Sequence, residues 1–286
     1  MDRTTVVIAT RDRAGELAHT LGRLAELDAP IIVMDNGSSD DTVRRVRREF
    51  PRVEVVALPG NAGAIARNLG VRRARTPYVA FCDDDSWWAP DAFDRAEELF
   101  DRHPRLGLLA GRTVVEPSGR IDPICREMAD SALGTPPDLP GPAVLGFLCC
   151  AAIVRRSAFL RAGGFHPVLF FRGEERLFSW DLAAAGWACA YVDAVVAHHQ
   201  PSTSRPAGSA GRRTALRNDL LTTWLRRPLP VAASAARALA RSALTDPDAR
   251  AALAAATLRL PAVVRHRHTL PAEVERQIAR LHQGHA

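Results

Sequence analysis

Four short apolar runs alternate with helix-period segments over roughly the first 80 residues of this 286-residue chain. The runs are Thr4 to Ala9 (TTVVIA), Pro30 to Met34 (PIIVM), Val53 to Ala57 and Tyr78 to Cys82. Between the first two, Leu17, Leu21, Leu24 and Leu27 recur at helical spacing, and Asp40 stands where it can cap a helix running to about Phe50. Strands linked by helices must cross over and pair in parallel, so the pattern predicts an α/β chain with a mostly parallel, doubly wound sheet. Ligands in such sheets bind just beyond the carboxyl ends of the strands. Here those ends are acidic, at Asp35 and at Asp83-Asp84-Asp85. Three adjacent carboxylates cannot all be buried unpaired. They form a solvated turn and helix cap, or they hold a hard divalent cation beside a phosphate.

Several function classes are excluded. A Rossmann dehydrogenase needs GxGxxG after its first strand, where this chain has Thr10-Arg11-Asp12-Arg13-Ala14-Gly15. The P-loop pattern is absent, and the chain has no lysine, which removes Schiff-base chemistry and the lysine-bearing loop of a nucleotidyltransferase. The net charge of +6 hides an asymmetry: residues 205–286 carry 14 arginines against 5 acids, whereas residues 1–204 carry 24 against 27. Without interleaved aromatics, the basic tail gives no support for nucleic-acid binding. Cys82, Cys125, Cys149, Cys150 and Cys189 are odd in number and lack CxxC spacing, which fits reduced core thiols. No apolar run reaches the ~18 residues of a membrane span, and the start lacks the form of a signal peptide. A cytoplasmic protein is expected.

In the second half, Pro90 to His103 reads as a helix and Leu106 to Glu116 as a strand. Residues 117–142 are rich in Pro and Gly and read as a long loop, a lid or an acceptor-binding segment. Gly146 to Val154 reads as a buried strand, and Arg161 to His166 contains a Gly-Gly-Phe turn. Glu174 and Glu175 head a helix, where acids also suit the dipole. Ala190 to Ala197 is a strand ending at His198-His199. Residues 201–211 read as a low-complexity loop able to close over a ligand. The chain therefore divides into residues 1–204, with halves 1–103 and 104–204, and an Arg-rich helical extension over 205–286. That extension packs on the core, forms a homodimer contact, lies on an anionic membrane at the inner face, or is a solvated appendage, the simplest of these.

The motifs taken together resemble family 2 glycosyltransferases of the GT-A fold. The matching pieces are Thr10 to Arg13, Asp35 to Asp40, the set Asn61, Gly63, Arg67 and Asn68, and the DxD of Asp83 and Asp85. The resemblance implies that residues 1–103 bind a nucleotide-diphosphate sugar of UDP, GDP or dTDP type and that residues 104–204 hold the acceptor and metal. It places Asp35 on the donor's base, and Thr10, Arg13, Asn61, Arg67, Asp83 and Asp84 around the donor. It puts Mn²⁺ or Mg²⁺ on Asp85, with Asp83 and His198 (His199 as second choice) completing the shell. It makes Glu175, with Glu174 beside it, the general base on an acceptor hydroxyl of a glycan, lipid-linked sugar or natural product, with inversion at the anomeric carbon. For Asn61 and Gly63 plain turn chemistry is the rival role, for Arg67 a helix-surface position, and Asp84 is open to solvent. Two residues depart from the family pattern: Leu177, where a second Asp is usual, and Asp181, where an Arg is common. They motivate the alternative of a catalytically inert sugar-nucleotide-binding protein.

Overall fold

The computed structural model describes residues 3–202 and 209–283. The loop expected over 201–211 lies for its larger part outside the described residues. The first apolar run forms β1 (Thr4–Thr10), followed by α1 (Ala14–Leu24), β2 (Ile31–Asp35), α2 (Thr42–Glu49), β3 (Glu54–Ala57), α3 (Ile65–Arg73) and β4 (Tyr78–Cys82). These four strands pair in parallel in the order β3-β2-β1-β4. Alternate residues of β1 face opposite layers, as a pleated strand requires. Val6 and Ile8 pack with Leu17, Leu21 and Leu24 of α1, while Val7 packs with Ala66 and Val71 of α3. Thr10 stands opposite Asp35 and Ile8 opposite Cys82, so three strand ends open on one edge.

The second half extends the same sheet with β5 (Ser86–Trp88), α4 (Ala92–Arg102), β6 (Leu106–Val115), β7 (Arg120–Ile121), α5 (Pro123–Ala129), β8 (Ala152–Arg155), α6 (Arg156–Arg161), α7 (Glu174–Ala184) and β9 (Ala188–His199). β8 joins β4 antiparallel, β6 lies between β8 and β9 and pairs in parallel with β9, and β5 closes the edge against β9. The strand predicted over 146–154 shrinks to β8, after a 3₁₀ turn at Cys149–Ala151. The residues before that turn are buried for another reason: Val144 donates to the carbonyl of Cys189 at 3.0 Å, so the segment crosses β9. An apolar run alone cannot separate these cases. The segment read as a loop over 117–142 contains α5, started by Asp122, whose side chain accepts from Ile124 N–H at 3.0 Å, with Pro123 in the first turn.

The tail forms α8 (Ser209–Arg226), α9 (Leu229–Ser242), α10 (Pro247–Thr257), α11 (Leu260–His266) and α12 (Ala272–Gln283). It is not a solvated appendage. Leu220, Leu221, Leu225 and Val263 share a buried cluster with Leu169 and Leu177. Arg226 grips Asp181 with both arms, at 2.6 and 2.9 Å, with both side chains buried. Leu177 and Asp181 are four residues apart on α7 and therefore share a face. Both departures from the family pattern thus face the tail. Val274 and Ile278 of α12 pack with Leu145 and Trp180. Among the described residues no helix is long and apolar enough to cross a membrane.

Candidate active site

The turns after β1 and β2 are tied to each other. Asp12, in the left-handed region at φ 51°, accepts at Oδ1 from the N–H of Ser39 (2.6 Å) and of Asp40 (3.3 Å), while its own N–H donates to Ser38 Oγ at 2.9 Å. A short Asp or Asn side chain is what tolerates that backbone region best. Asp35 is buried, and its carboxylate accepts from the N–H of Ser38 at 3.0 Å and from the Ser38 hydroxyl. That carboxylate is used inside its own turn. The neighbouring Asn36, which the sequence reading passed over, lines the cleft instead, beside Thr10, Arg13, Asn61, Arg67, Asp83 and Asp84.

Asp84 does not face solvent. Its side chain is buried, accepting from Thr10 Oγ1 at 2.9 Å and facing Arg13 Nε at 2.8 Å. Burial pushes its carboxyl up to about 6, against the pull of Arg13. The other arm of Arg13 reaches Asp85 at 3.0 Å. One guanidinium thus bridges two adjacent carboxylates. Asp83 turns the opposite way, to Arg67 at 2.5 Å.

Of the two histidines ending β9, it is His199 and not His198 that faces the aspartates. Its Nε2 lies 3.4 Å from Asp85 Oδ1. His198 hydrogen-bonds Glu116 through Nδ1 at 2.9 Å and stacks on Trp87 with ring centroids 5.6 Å apart. Successive strand residues point to opposite faces, so only one of the pair can serve. Among the described residues no three His, Cys, Asp or Glu side chains stand gathered as a ready-made metal site. Asp85 and His199 nonetheless fit an ion that takes its remaining ligands from a diphosphate and water, the usual manner of Mg²⁺. Imidazole with carboxylate also suits Mn²⁺.

Arg67 is buried on α3; burial works against its charge, and the fields of Asp83, which it touches, and of Glu174 and Glu175 help outweigh that. A plain surface position for it is excluded. The adjacent Asn68 clasps the backbone of Phe165 on both sides, donating to its carbonyl at 2.8 Å and accepting from its N–H at 2.9 Å. The Asn-x-Gly-x-x-x-Arg-Asn segment and the Gly-Gly-Phe turn are therefore one structure. Asn61 forms a turn, accepting from Gly63 N–H at 2.9 Å, and also lines the cleft. Gly63 has φ +59°, and a Cβ there would lie 2.2 Å from the carbonyl oxygen of Phe170. We expect Gly63→Ala to displace the Phe170–Phe171 roof of the cleft and to cost about 1–3 kcal/mol. Thermal denaturation, and the stabilisation gained on adding a sugar nucleotide, would read both effects.

The Phe170 loop is strained: Phe170 and Arg172 both adopt positive φ, at 68° and 71°. Asn218 of α8 holds it by donating from Nδ2 to the carbonyls of Leu169, Phe171 and Arg172, at 3.2, 2.8 and 2.5 Å. This loop delivers Glu174 and Glu175 to the start of α7. Glu174 is buried, and burial together with the charge of Glu175 pushes its carboxyl up to about 8. Glu175 is half-buried and opens into a second concavity, beside Arg176 and Trp180. Burial raises its carboxyl as well, while Arg67 and backbone N–H groups oppose the rise. A raised carboxylate at the edge of a cleft, next to a fixed guanidinium, has the chemistry of a proton acceptor.

Comparison with known proteins bears on this arrangement. Residues 5–162 match the family model for glycosyl transferase family 2. The chain is 28% identical over 246 residues to N-acetylglucosaminyl-diphospho-decaprenol L-rhamnosyltransferase of Mycobacterium tuberculosis, covering 73% of this chain and 80% of that one. It is 33% identical over 214 residues to the pre-mycofactocin glycosyltransferase of the same species, covering 68% of this chain and 42% of that protein. Among solved structures, the mannosyltransferase PcManGT of Pyrobaculum calidifontis, in complex with GDP-Man and Mn²⁺, superposes with a TM-score of 0.61 at 20% identity, over 90% of this chain and 86% of that one. S. aureus TarS superposes at 0.59 and 19% identity, over 84% of this chain and 42% of its own length. These likenesses show a shared fold, and in this chain the motif segments lie at or just beyond the carboxyl ends of the parallel strands. The chain belongs to glycosyltransferase family 2, with a GT-A fold whose carboxyl-end cleft is lined by Thr10, Arg13, Arg67, Asp83 and Asp84.

Proposed function

We propose that the protein transfers a sugar from a nucleotide-diphosphate donor of UDP, GDP or dTDP type to an acceptor hydroxyl by a single, inverting displacement. The observation that carries this reading is Arg67: its guanidinium touches Asp83 in the donor cleft and is flanked by Glu174 and Glu175 at the head of α7. Donor cleft and candidate base therefore adjoin one another. Asn36, Asn61 and Thr10 line the nucleotide's place, and Asp35 acts through the Ser38 turn it fixes. Glu175 takes the proton from the acceptor hydroxyl as its oxygen bonds to the anomeric carbon. The bond from that carbon to the diphosphate breaks, and a nucleoside diphosphate leaves. Asp85 and His199 would hold Mn²⁺ or Mg²⁺, which when bound neutralises charge on the diphosphate, while Asp83, expected in the same shell, is turned to Arg67.

Two outcomes test these roles. His199→Ala is expected to weaken Mn²⁺ binding, read by electron paramagnetic resonance in the presence of a nucleoside diphosphate, while His198→Ala leaves it within about twofold of wild type; equal losses would reject the assignment. The raised carboxyls fix the sign of the pH dependence. A base with a raised pKa is protonated at acid pH, so kcat/KM should climb with rising pH and level off only above the ordinary carboxylate range. The apparent pKa belongs to the Glu174–Glu175 pair. Glu174→Gln leaves Glu175 to titrate alone and should remove whatever part of the climb belongs to Glu174.

The tail adds a location. Residues 249–272 contain four arginines and no acid, and they expose Leu258, Leu260 and Val264. Leu260 and Val264 are four apart on α11 and share a face. Apolar side chains set among arginines suit peripheral contact with an anionic membrane surface more than a homodimer, which would have to bury the same arginines together.

A further inference from the structure

α7 and α12 face each other across a groove of about 520 Å³, a size typical of small-molecule sites, which run to ~300–1,000 Å³. Met128, Phe147, Trp180, Ile278 and Leu281 supply apolar wall, and Glu175 opens into the same groove. Glu175 and Trp180 are five residues apart on α7, which separates them by about 7.5 Å along the helix. The cation at the Glu175 end, Arg176, is already paired with Asp219 and lies over the Trp180 ring at 5.9 Å. The groove thus passes from Glu175 to an apolar wall, with Glu127, Ser131 and His282 as further polar lining and its arginine already paired.

An acceptor hydroxyl must come within hydrogen-bond reach of Glu175, so whatever carries that hydroxyl extends into the groove. A free polysaccharide would lay unpaired hydroxyls against apolar side chains there, at a desolvation cost. A hydrocarbon chain would instead gain by leaving water. We infer that the groove between α7 and α12 is the acceptor site for a lipid-borne sugar, holding the start of its hydrocarbon chain against Trp180, Ile278 and Leu281. This rests on Glu175 being the base. It makes the C-terminal helix part of the active site, and it agrees with the lipid-facing stretch exposed by the same tail.

The test uses the full chain with butyl, octyl and dodecyl glycosides of one sugar, kept below their micelle-forming concentrations, with a donor the protein turns over. Affinity and KM should improve at least ~10-fold from butyl to octyl, since each buried methylene adds to transfer out of water. Leu281→Glu should erase that gain while thermal stabilisation by the donor stays as in wild type. An octyl glycoside brominated on its chain should quench tryptophan fluorescence, and Trp180→Phe, which keeps the wall apolar, should remove most of the quenching. Transfer without chain-length dependence, or quenching unchanged in Trp180→Phe, would overturn the inference. Quenching with no transfer to any glycoside would instead count against Glu175 as the base and leave the chain site standing.

Discussion

Glu175→Gln is expected to lower kcat by about 10²–10⁴-fold, the range that a positioned general base contributes, with donor affinity unchanged. The side chain keeps its length and its place at the head of α7, so the loop held by Asn218 has no reason to move. What is lost is the ability to accept a proton. Glu174 cannot replace it: that carboxyl is buried, pushed up to about 8, and does not line the groove between α7 and α12. Glu174→Gln should therefore cost far less than Glu175→Gln and chiefly reshape the pH profile. Single-turnover rates with saturating donor, set beside calorimetric donor affinity, separate the two effects. A loss of affinity that matches the loss in rate would mean that Glu175 binds and does not catalyse.

Arg226→Ala is expected to destabilise the fold by about 3–5 kcal/mol, because it leaves the buried Asp181 carboxylate with only the more distant His268 ring, 3.8 Å away. For a chain of this size that lowers the melting temperature on the order of 10 °C. Replacing both partners with apolar residues of similar volume should recover most of the loss, as is common for buried pairs. Thermal denaturation of the single variants and of the double variant Asp181→Leu/Arg226→Met decides this. If the double variant is as unstable as Arg226→Ala, the pair itself, and not the uncompensated charge, carries the stability. Leu177 belongs to the same surface: Leu177→Asp would restore the usual family residue but bury it among Leu220, Leu221 and Leu225. The two departures from the family pattern both pack against the tail.

The parallel core and its acidic strand ends were legible because each depends on local order: a run's period, and the residue that follows it. The histidine was not. The pairing of β6 with β9 jumps from Gly111↔Val192 to Arg112↔Val196, a bulge that resets which side chains face which layer. Alternation counted forward from Ala190 therefore gives no answer at the strand end, and His199 takes the place expected of His198. Asp181 was opaque for a different reason. Its partner Arg226 lies 45 residues further along the chain, and no local pattern announces a contact across that span. Asn36 and Phe170 reach the cleft through turn geometry, Gly63 yielding the room for the Phe170 carbonyl. The cap of α5, by contrast, was present in Asp122-Pro123 and was outweighed by the surrounding Pro and Gly.

The most direct measurement is proton NMR of the wild-type protein incubated with Mn²⁺, an octyl glycoside and a panel of UDP-, GDP- and dTDP-sugars. One donor should be consumed, and a new anomeric signal should appear with the configuration opposite to that of the donor. A product that keeps the donor's configuration, or a donor that binds and remains intact with every acceptor offered, would contradict a single displacement driven by Glu175.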